Sequence, residues 1–526
     1  MSRRRFSIAL ACAVCASAAV EAKTLRYAFQ GTLKSLDIYA LAETFTLGTL
    51  TNVYEGLVAR DADLKIRPAL AERWERLSPT HWRFHLRKGV TFHNGNPFTA
   101  ADVVFSAERV RSKGSNLRAR VPKDARFVAV DDHTVDVHLS SPNPILLSEW
   151  ASWGIMDREW AEANDAVAVA SPTSKKVSYA AKHANGTGPF RVVSHRVGVK
   201  TVFERNDAWW GKREHNLTRV EFVPISAAST RVAALLSGEV DMAFPIPVQD
   251  EARVSANPGT SVLAGPELRT IFLGMDQFRD ELIDSNVKGR NPFKDKRVRQ
   301  AVYHAINIKA IQSRIMRKRS VPTAQMISPV LFQGETPPER LAYNPKKAHE
   351  LLSSAGYPSG FEVGMDCSND RYVNDGAICQ AVAALLAKVG IRVKLNVQPK
   401  SRFFAKVLGS NGYQTSFYLL GWTPSSFDSY NVLHKIHGCR SKGSARGQFN
   451  LGGYCNPEVD ALADRILVEN DPARRDVLIE KAFKITTSDV AYIPLHQQML
   501  AWGVSKRVSI KQRADNVFHF QWVQKD

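Results

Sequence analysis

The chain has 526 residues, a formal net charge of +20, and a composition that is 44% hydrophobic and 23% charged. That length exceeds what one hydrophobic core organises, and that composition excludes a disordered or low-complexity chain, so two or three packed domains are expected. The Lys and Arg residues are spread along the whole chain instead of gathering in one helix or run, which reads as a solvated basic surface and argues against nucleic acid as a partner.

Arg3, Arg4 and Arg5 precede an apolar or small stretch from Phe6 to Val20, and Val20 and Ala22 occupy the small-residue positions before a cut at Lys23. Residues 1–22 are therefore expected to be a signal peptide. Ser2-Arg-Arg-Arg-Phe6 also resembles a twin-arginine export signal. A lipoprotein cut before Cys12 fits less well, because the apolar run before it is short. No other segment reaches the roughly 18 uncharged apolar residues that a membrane span needs. The mature chain is thus expected to be soluble in a bacterial periplasm.

Thr24 to Phe29 reads as a short strand, and Phe45 to Leu57 has helical spacing through Leu47, Leu50, Val53, Tyr54 and Leu57. Trp82 to Arg87 alternates as a half-buried strand. Asn94 to Pro97 marks a turn, and Thr99 caps a helix through Arg109. Val128 to Leu139 reads as a strand pair around the Asp131-Asp132 turn. From Asp165 to Thr187 the pattern dissolves into small and polar residues, a candidate linker.

Arg191 to Arg205 returns to strand alternation. Thr230 to Leu236 is helical and stops at Gly238, and Val240 to Phe244 follows as a strand. Arg279 to Asn291 is charged and loop-like, a second candidate boundary. Beyond it helices and strands alternate. Asn344 and Pro345 open a helix that ends at Gly356, and Ala377 to Val389 form another, stopped by Gly390. The strand Ile391 to Val397 follows directly, and Asn456-Pro457 opens a third helix. This alternation argues for an α/β domain with a mixed sheet.

Cys12 and Cys15 would leave with the signal, so four cysteines remain: Cys367, Cys379, Cys439 and Cys455. An even number in an oxidising compartment suggests two disulfides, for which three pairings exist. Cys367–Cys379 with Cys439–Cys455 closes the shortest loops and is the expected set. The competing reading is a zinc or nickel site from His434, His437, Cys439 and Cys455, although no Cys-x-x-Cys pair occurs.

Enzyme signatures are lacking: there is no Gly-x-Ser-x-Gly, no His-Glu-x-x-His and no phosphate-binding Walker loop. No cofactor motif is found. A binding protein instead needs apolar walls with a few placed polar groups. Phe417 to Leu420 reads as an apolar strand ending at Gly421, so Trp422 would emerge at a strand terminus, where ligands of α/β sheets bind. A packed core aromatic is the alternative for Trp422.

Three stretches, Pro68-Ala-Leu-Ala-Glu-Arg-Trp74, Trp82-Arg-Phe-His-Leu-Arg-Lys-Gly-Val90 and Phe92-His-Asn-Gly-Asn-Pro-Phe-Thr-Ala-Ala-Asp-Val-Val-Phe-Ser106, resemble the signature region of family 5 solute-binding proteins of bacterial ABC importers. Later landmarks keep the family's order: Gly186 to Phe190, Asn206 to Gly211, Leu236 to Asp241, Phe293 to Val302, Ala305 to Asn307, and Gly421-Trp422. The resemblance implies an α/β fold: a two-lobed periplasmic-binding-protein clamp with an extra inserted subdomain and the ligand between the lobes. Lobe one would comprise residues 23–58, 187–276 and 498–526, the inserted subdomain 59–186, and lobe two 277–497. Closure would be a hinge motion.

In peptide-binding relatives an Asp three residues after the Trp holds the peptide's amino terminus; here that position is Ser425, and Asp428 is the nearest carboxylate. An Arg before a lobe-two helix clamps the carboxylate in dipeptide binders, and Arg371 lies near that position. Tyr372 and Phe45 complete the candidate ligand-binding set. The implied function is capture of an oligopeptide or peptide-like solute by a non-enzymatic, monomeric protein, for delivery to a membrane-bound ABC permease. A nonpeptide cargo, such as a nickel chelate or a sugar–phosphate conjugate, is the alternative binder. A periplasmic hydrolase or a holdase chaperone is the alternative of another class.

Overall fold

The computed structural model describes residues 23–170, 177–332, 338–408, 412–441 and 444–526. The expected signal peptide lies outside them, and among the described residues no helix is long and apolar enough to cross a membrane.

One mixed sheet of eleven strands runs through the molecule. Thr24–Phe29 lies near one end, paired in parallel with Arg219–Pro224 on one side and Met242–Phe244 on the other. The hairpin Phe190–Arg196 and Lys200–Arg205 extends the sheet to its edge. At the other end Phe361–Ser368 pairs in parallel with Ile391–Gln398 and with Phe417–Trp422. Helices Asp375–Ala387 and Lys400–Val407 make the crossovers that parallel strands require.

Two long antiparallel strands, Thr260–Met275 and Ile493–Ser505, join these ends. Sequence alternation does not reveal either of them. Their inner halves are buried on both faces, so apolar residues run together, as in Ile271-Phe272-Leu273 and Ala501-Trp502. Pro266, Glu267 and Arg269 also break the apolar pattern of the first strand. The break is real in space. Pro266 faces Met499 and Thr270 faces Gln497, so Glu267, Leu268 and Arg269 stand opposite Gln498 alone. Such a bulge bends a strand and re-aims its side chains.

A separate four-stranded sheet is built from Ala71–Ser78, His81–Leu86, Thr134–His138 and Arg126–Asp131. Its inner face, with Trp82, Phe84, Val135 and Val137, packs into a core that also contains Leu25, Tyr27 and Phe520. Helix Ala100–Arg111 lies on it. Asp102 at its N3 position accepts from the Thr99 backbone N–H at 2.9 Å, a reciprocal capping box. Inside the first core Arg109 donates to both oxygens of Asp37, at 2.9 and 2.6 Å, with both side chains buried. Two further cores, from Ile271 to Leu495 and from Phe272 to Tyr492, cover the two faces of the other sheet end.

Most expected helix ends are observed. Asn344 accepts from Lys347 N at the start of Pro345–Ser354, and Gly356 and Gly390 take the left-handed conformation that ends their helices. The Phe45 to Leu57 expectation is corrected: the helix is Thr44–Leu50 only. Its C-terminal carbonyls are taken by a side chain, since Asn52 Nδ2 donates to Gly48 O and Thr49 O as well as to Phe518 O. That local competition ends the helix before the apolar spacing does.

Both expected disulfides are present, Cys367–Cys379 and Cys439–Cys455. The zinc or nickel reading of His434, His437, Cys439 and Cys455 is corrected with them, because both sulfurs are bonded.

Candidate functional site

The polar groups converge where the bulge of Thr260–Met275 meets the end of Phe417–Trp422. Arg269 emerges from the bulge, donates to Thr423 Oγ1 at 3.2 Å and lies 3.2 Å from Glu267 Oε1. Gln498, opposite the bulge, donates to Glu267 Oε2 at 2.6 Å and accepts from Val373 N at 3.1 Å. Glu267 is therefore spoken for on both oxygens, and it is almost wholly buried. Sequence reasoning missed Glu267, Arg269, Thr423 and Gln498. The one signal was the pair of charges at 267 and 269 inside an otherwise apolar run.

Arg371 and Tyr372 precede the helix Asp375–Ala387, and Asp375 fixes the loop by accepting from both of their backbone N–H groups. Tyr372 is buried and its hydroxyl donates to Gly421 O at 3.3 Å. Two guanidiniums flank its ring, Arg371 at 5.3 Å and Arg269 at 5.8 Å from the centroid. Among the described residues the Arg371 guanidinium has no hydrogen bond and no carboxylate at ion-pair distance. It is open to solvent yet its pKa is lowered, first by desolvation and then by the like charge of Arg269, while Glu267 and Glu43 oppose the shift. A cation held beside a like charge gains by pairing with an anion.

Gly421 permits this arrangement. A Cβ there would stand 2.6 Å from Tyr372 Cε1 and 2.8 Å from Ile271 Cδ1. Trp422 ends its strand half-buried, tilted against Phe449 at 4.8 Å, with its indole N–H donating to Asn431 Oδ1 at 3.0 Å. Asn431 in turn donates to Ser425 Oγ at 3.1 Å. The three are linked, and Ser425 is exposed.

Asp428 is placed differently. Both its oxygens receive Arg475, at 2.7 and 2.8 Å, and Oδ1 also accepts from Tyr430 N at 2.8 Å as the cap of a short helix. Phe45 stands apart from this group, stacked on Phe29 with centroids 4.0 Å apart and 5.1 Å from Phe222. Its chain neighbour Thr46 donates to Glu43, one of the carboxylates whose charge reaches Arg371.

Beside the group the two halves of the molecule touch. Arg120 donates to Ser425 O at 2.7 Å, and the Arg60 guanidinium lies 4.4 Å over the Phe427 ring. Arg319 pairs with Glu251 on another side. Neither Arg60 nor Arg120 carries any sign of this role in the sequence, since each meets its partner from a segment more than three hundred residues distant.

Residues 65–444 match the sequence profile of the bacterial extracellular solute-binding proteins, family 5 middle region. The chain belongs to that family. This solute-binding protein is 26% identical over 513 residues to a glutathione-binding protein, GsiB, of Salmonella choleraesuis, covering 96% of this chain and 94% of the relative. Its fold is similar to that of the periplasmic binding protein DppA of Helicobacter pylori in complex with the peptide STSA, with 25% identity and a TM-score of 0.77 over 96% of this chain and 98% of that one. The substrate-binding protein CtaP of Listeria monocytogenes, 19% identical, shares the fold at a TM-score of 0.82 over 96% and 99% of the chains. The solute-binding protein is thus a two-lobed α/β clamp.

Proposed function

We propose that this protein captures an anionic peptide-like solute between its lobes, next to the bulged strand, and passes it unchanged to an ABC permease from the periplasm. The observation that carries the reading is the Arg269–Tyr372–Arg371 group with one unpaired guanidinium. A carboxylate brought there gains a charge-assisted hydrogen bond in a partly desolvated place, where such bonds are strongest. The carboxylate suited to a ligand amine is not at Ser425, and the Asp428 oxygens already serve Arg475. Glu43, whose charge reaches Arg371, is the remaining acidic candidate. The likeness to a glutathione-binding protein supports the same chemistry, an acidic peptide derivative. The lobe boundaries near residues 276 and 498 belong to this reading, since the long strands cross there.

Calorimetry on the mature protein tests it. Glutathione should bind, and the same peptide with its carboxylates amidated should bind at least tenfold more weakly. Arg371→Gln should lose about 1.5–3 kcal/mol, the range for a hydrogen bond to a charged group. Equal affinity for the acid and the amide would overturn the reading.

A further inference from the structure

The outer face of the four-stranded sheet carries a group of side chains that solute capture does not use. His81 and His138 stand directly opposite one another on neighbouring antiparallel strands, and Asp136 is two residues before His138, hence on the same face. Their rings stack with centroids 4.1 Å apart. His81 Nε2 lies 3.2 Å from Asp136 Oδ2. One ligand atom from each of the three residues lies within 4.8 Å of the other two.

We propose that His81, His138 and Asp136 form a binding site for a divalent transition-metal ion of the zinc, nickel or copper class. Two imidazoles and a carboxylate are the donors such ions prefer, and three protein donors leave a fourth position for water. Bonds of about 2.1 Å at tetrahedral angles put donor atoms about 3.4 Å apart. The His81–Asp136 separation already meets that spacing, and rotation of the His138 ring closes the rest. The strands themselves need not move, because their register is locked by Trp82, Phe84, Val135 and Val137 in the core beneath.

Arg83 donates to Asp136 from Nε at 2.7 Å and Nη2 at 2.8 Å. That fixes the carboxylate plane, as partners behind metal ligands do, and a carboxylate retains lone pairs for a further partner. The Arg83 charge, with Arg126 opposite His138, repels a cation. Affinity in the micromolar range is therefore expected in place of the tighter binding of a site free of nearby cations.

Equilibrium dialysis of the chelator-stripped mature protein against Zn²⁺ should give one ion per chain, with affinity falling at least tenfold in His81→Ala and in His138→Ala. Glutathione calorimetry and thermal melting of the same variants would show whether fold and solute capture persist. If a variant fails to fold, the nitrogen hyperfine pattern of one equivalent of Cu²⁺ on the wild type decides, with two imidazoles expected. Absence of saturable Zn²⁺ binding overturns the proposal. So does binding that survives both substitutions, or a copper spectrum with fewer than two imidazoles. His81 and Asp136 would then be an ion pair only.

Discussion

Gly421 shows how one missing side chain sets the candidate site. Tyr372 rests against the space a Cβ would fill, and its hydroxyl bonds to the same residue's carbonyl. The ring in turn positions the two guanidiniums that flank it. Gly421→Ala would meet ring carbon at 2.6 Å, closer than real Cβ contacts, so Tyr372 must rotate outward. The expected outcome is a solute affinity at least tenfold weaker, with thermal stability lowered by the ~1–3 kcal/mol of an overpacked core position. Calorimetry and melting of the same variant check both. Affinity unchanged from wild type would detach Tyr372 from the site. Asp428 teaches a different lesson at this scale. Its place three residues after Ser425 made it a candidate amine anchor, yet its carboxylate is engaged by Arg475, which lies 47 residues further on. No local pattern announces a partner at that separation.

Among the elements, the parts with local causes read well from the sequence. Thr99 with Asp102 and Asn344 with Pro345 are start signals in which side chain and backbone lie within three residues. The Cys367–Cys379 bridge follows from the same nearness, since it ties the end of Phe361–Ser368 to the first turns of Asp375–Ala387. The loop between them carries Arg371 and Tyr372, so the bridge holds the candidate site as well as the core. Replacing both cysteines by serine is expected to cost about 2–4 kcal/mol, the usual worth of a native disulfide. Solute affinity should fall with it as the loop gains freedom. Denaturant unfolding and calorimetry of the double variant measure the two effects. A variant as stable as wild type would show that helix and sheet need no tie there.

For the whole molecule, the contact between its halves should respond to pH. Glu149, on the short helix Leu146–Trp150, lies close enough to Asp428 and Lys435 to feel their charges. Burial, ahead of the Arg120 guanidinium that opposes it, pushes its carboxyl up to about 7. Opening the lobes would return it to water and to the ordinary range near 4.5. The closed form then holds a proton that the open form releases, so closure is favoured at low pH. That contribution is present below about 4.5 and is lost progressively as pH rises toward 7. Solute affinity should accordingly fall across that window in the wild type, and the slope should flatten in Glu149→Gln. A wild-type affinity profile no steeper than that of the Gln variant would remove Glu149 from the closing contact.

Local chemistry determined most helix starts and stops, the short strands and the order of landmarks that marks the family, and it favoured the disulfide pairs that close the shortest loops. Each depends on residues a few positions apart or on composition within one segment. The tertiary structure alone decided that two long strands unite the sheet, that a bulge aims Arg269 at Tyr372, that Asp428 belongs to Arg475, and that His81 meets His138. These are pairings between segments from 47 to more than two hundred residues apart, or between strands whose register is set by the core beneath them. A strand buried on both faces has no alternation to display, and a charge reveals its partner only once the chain has folded.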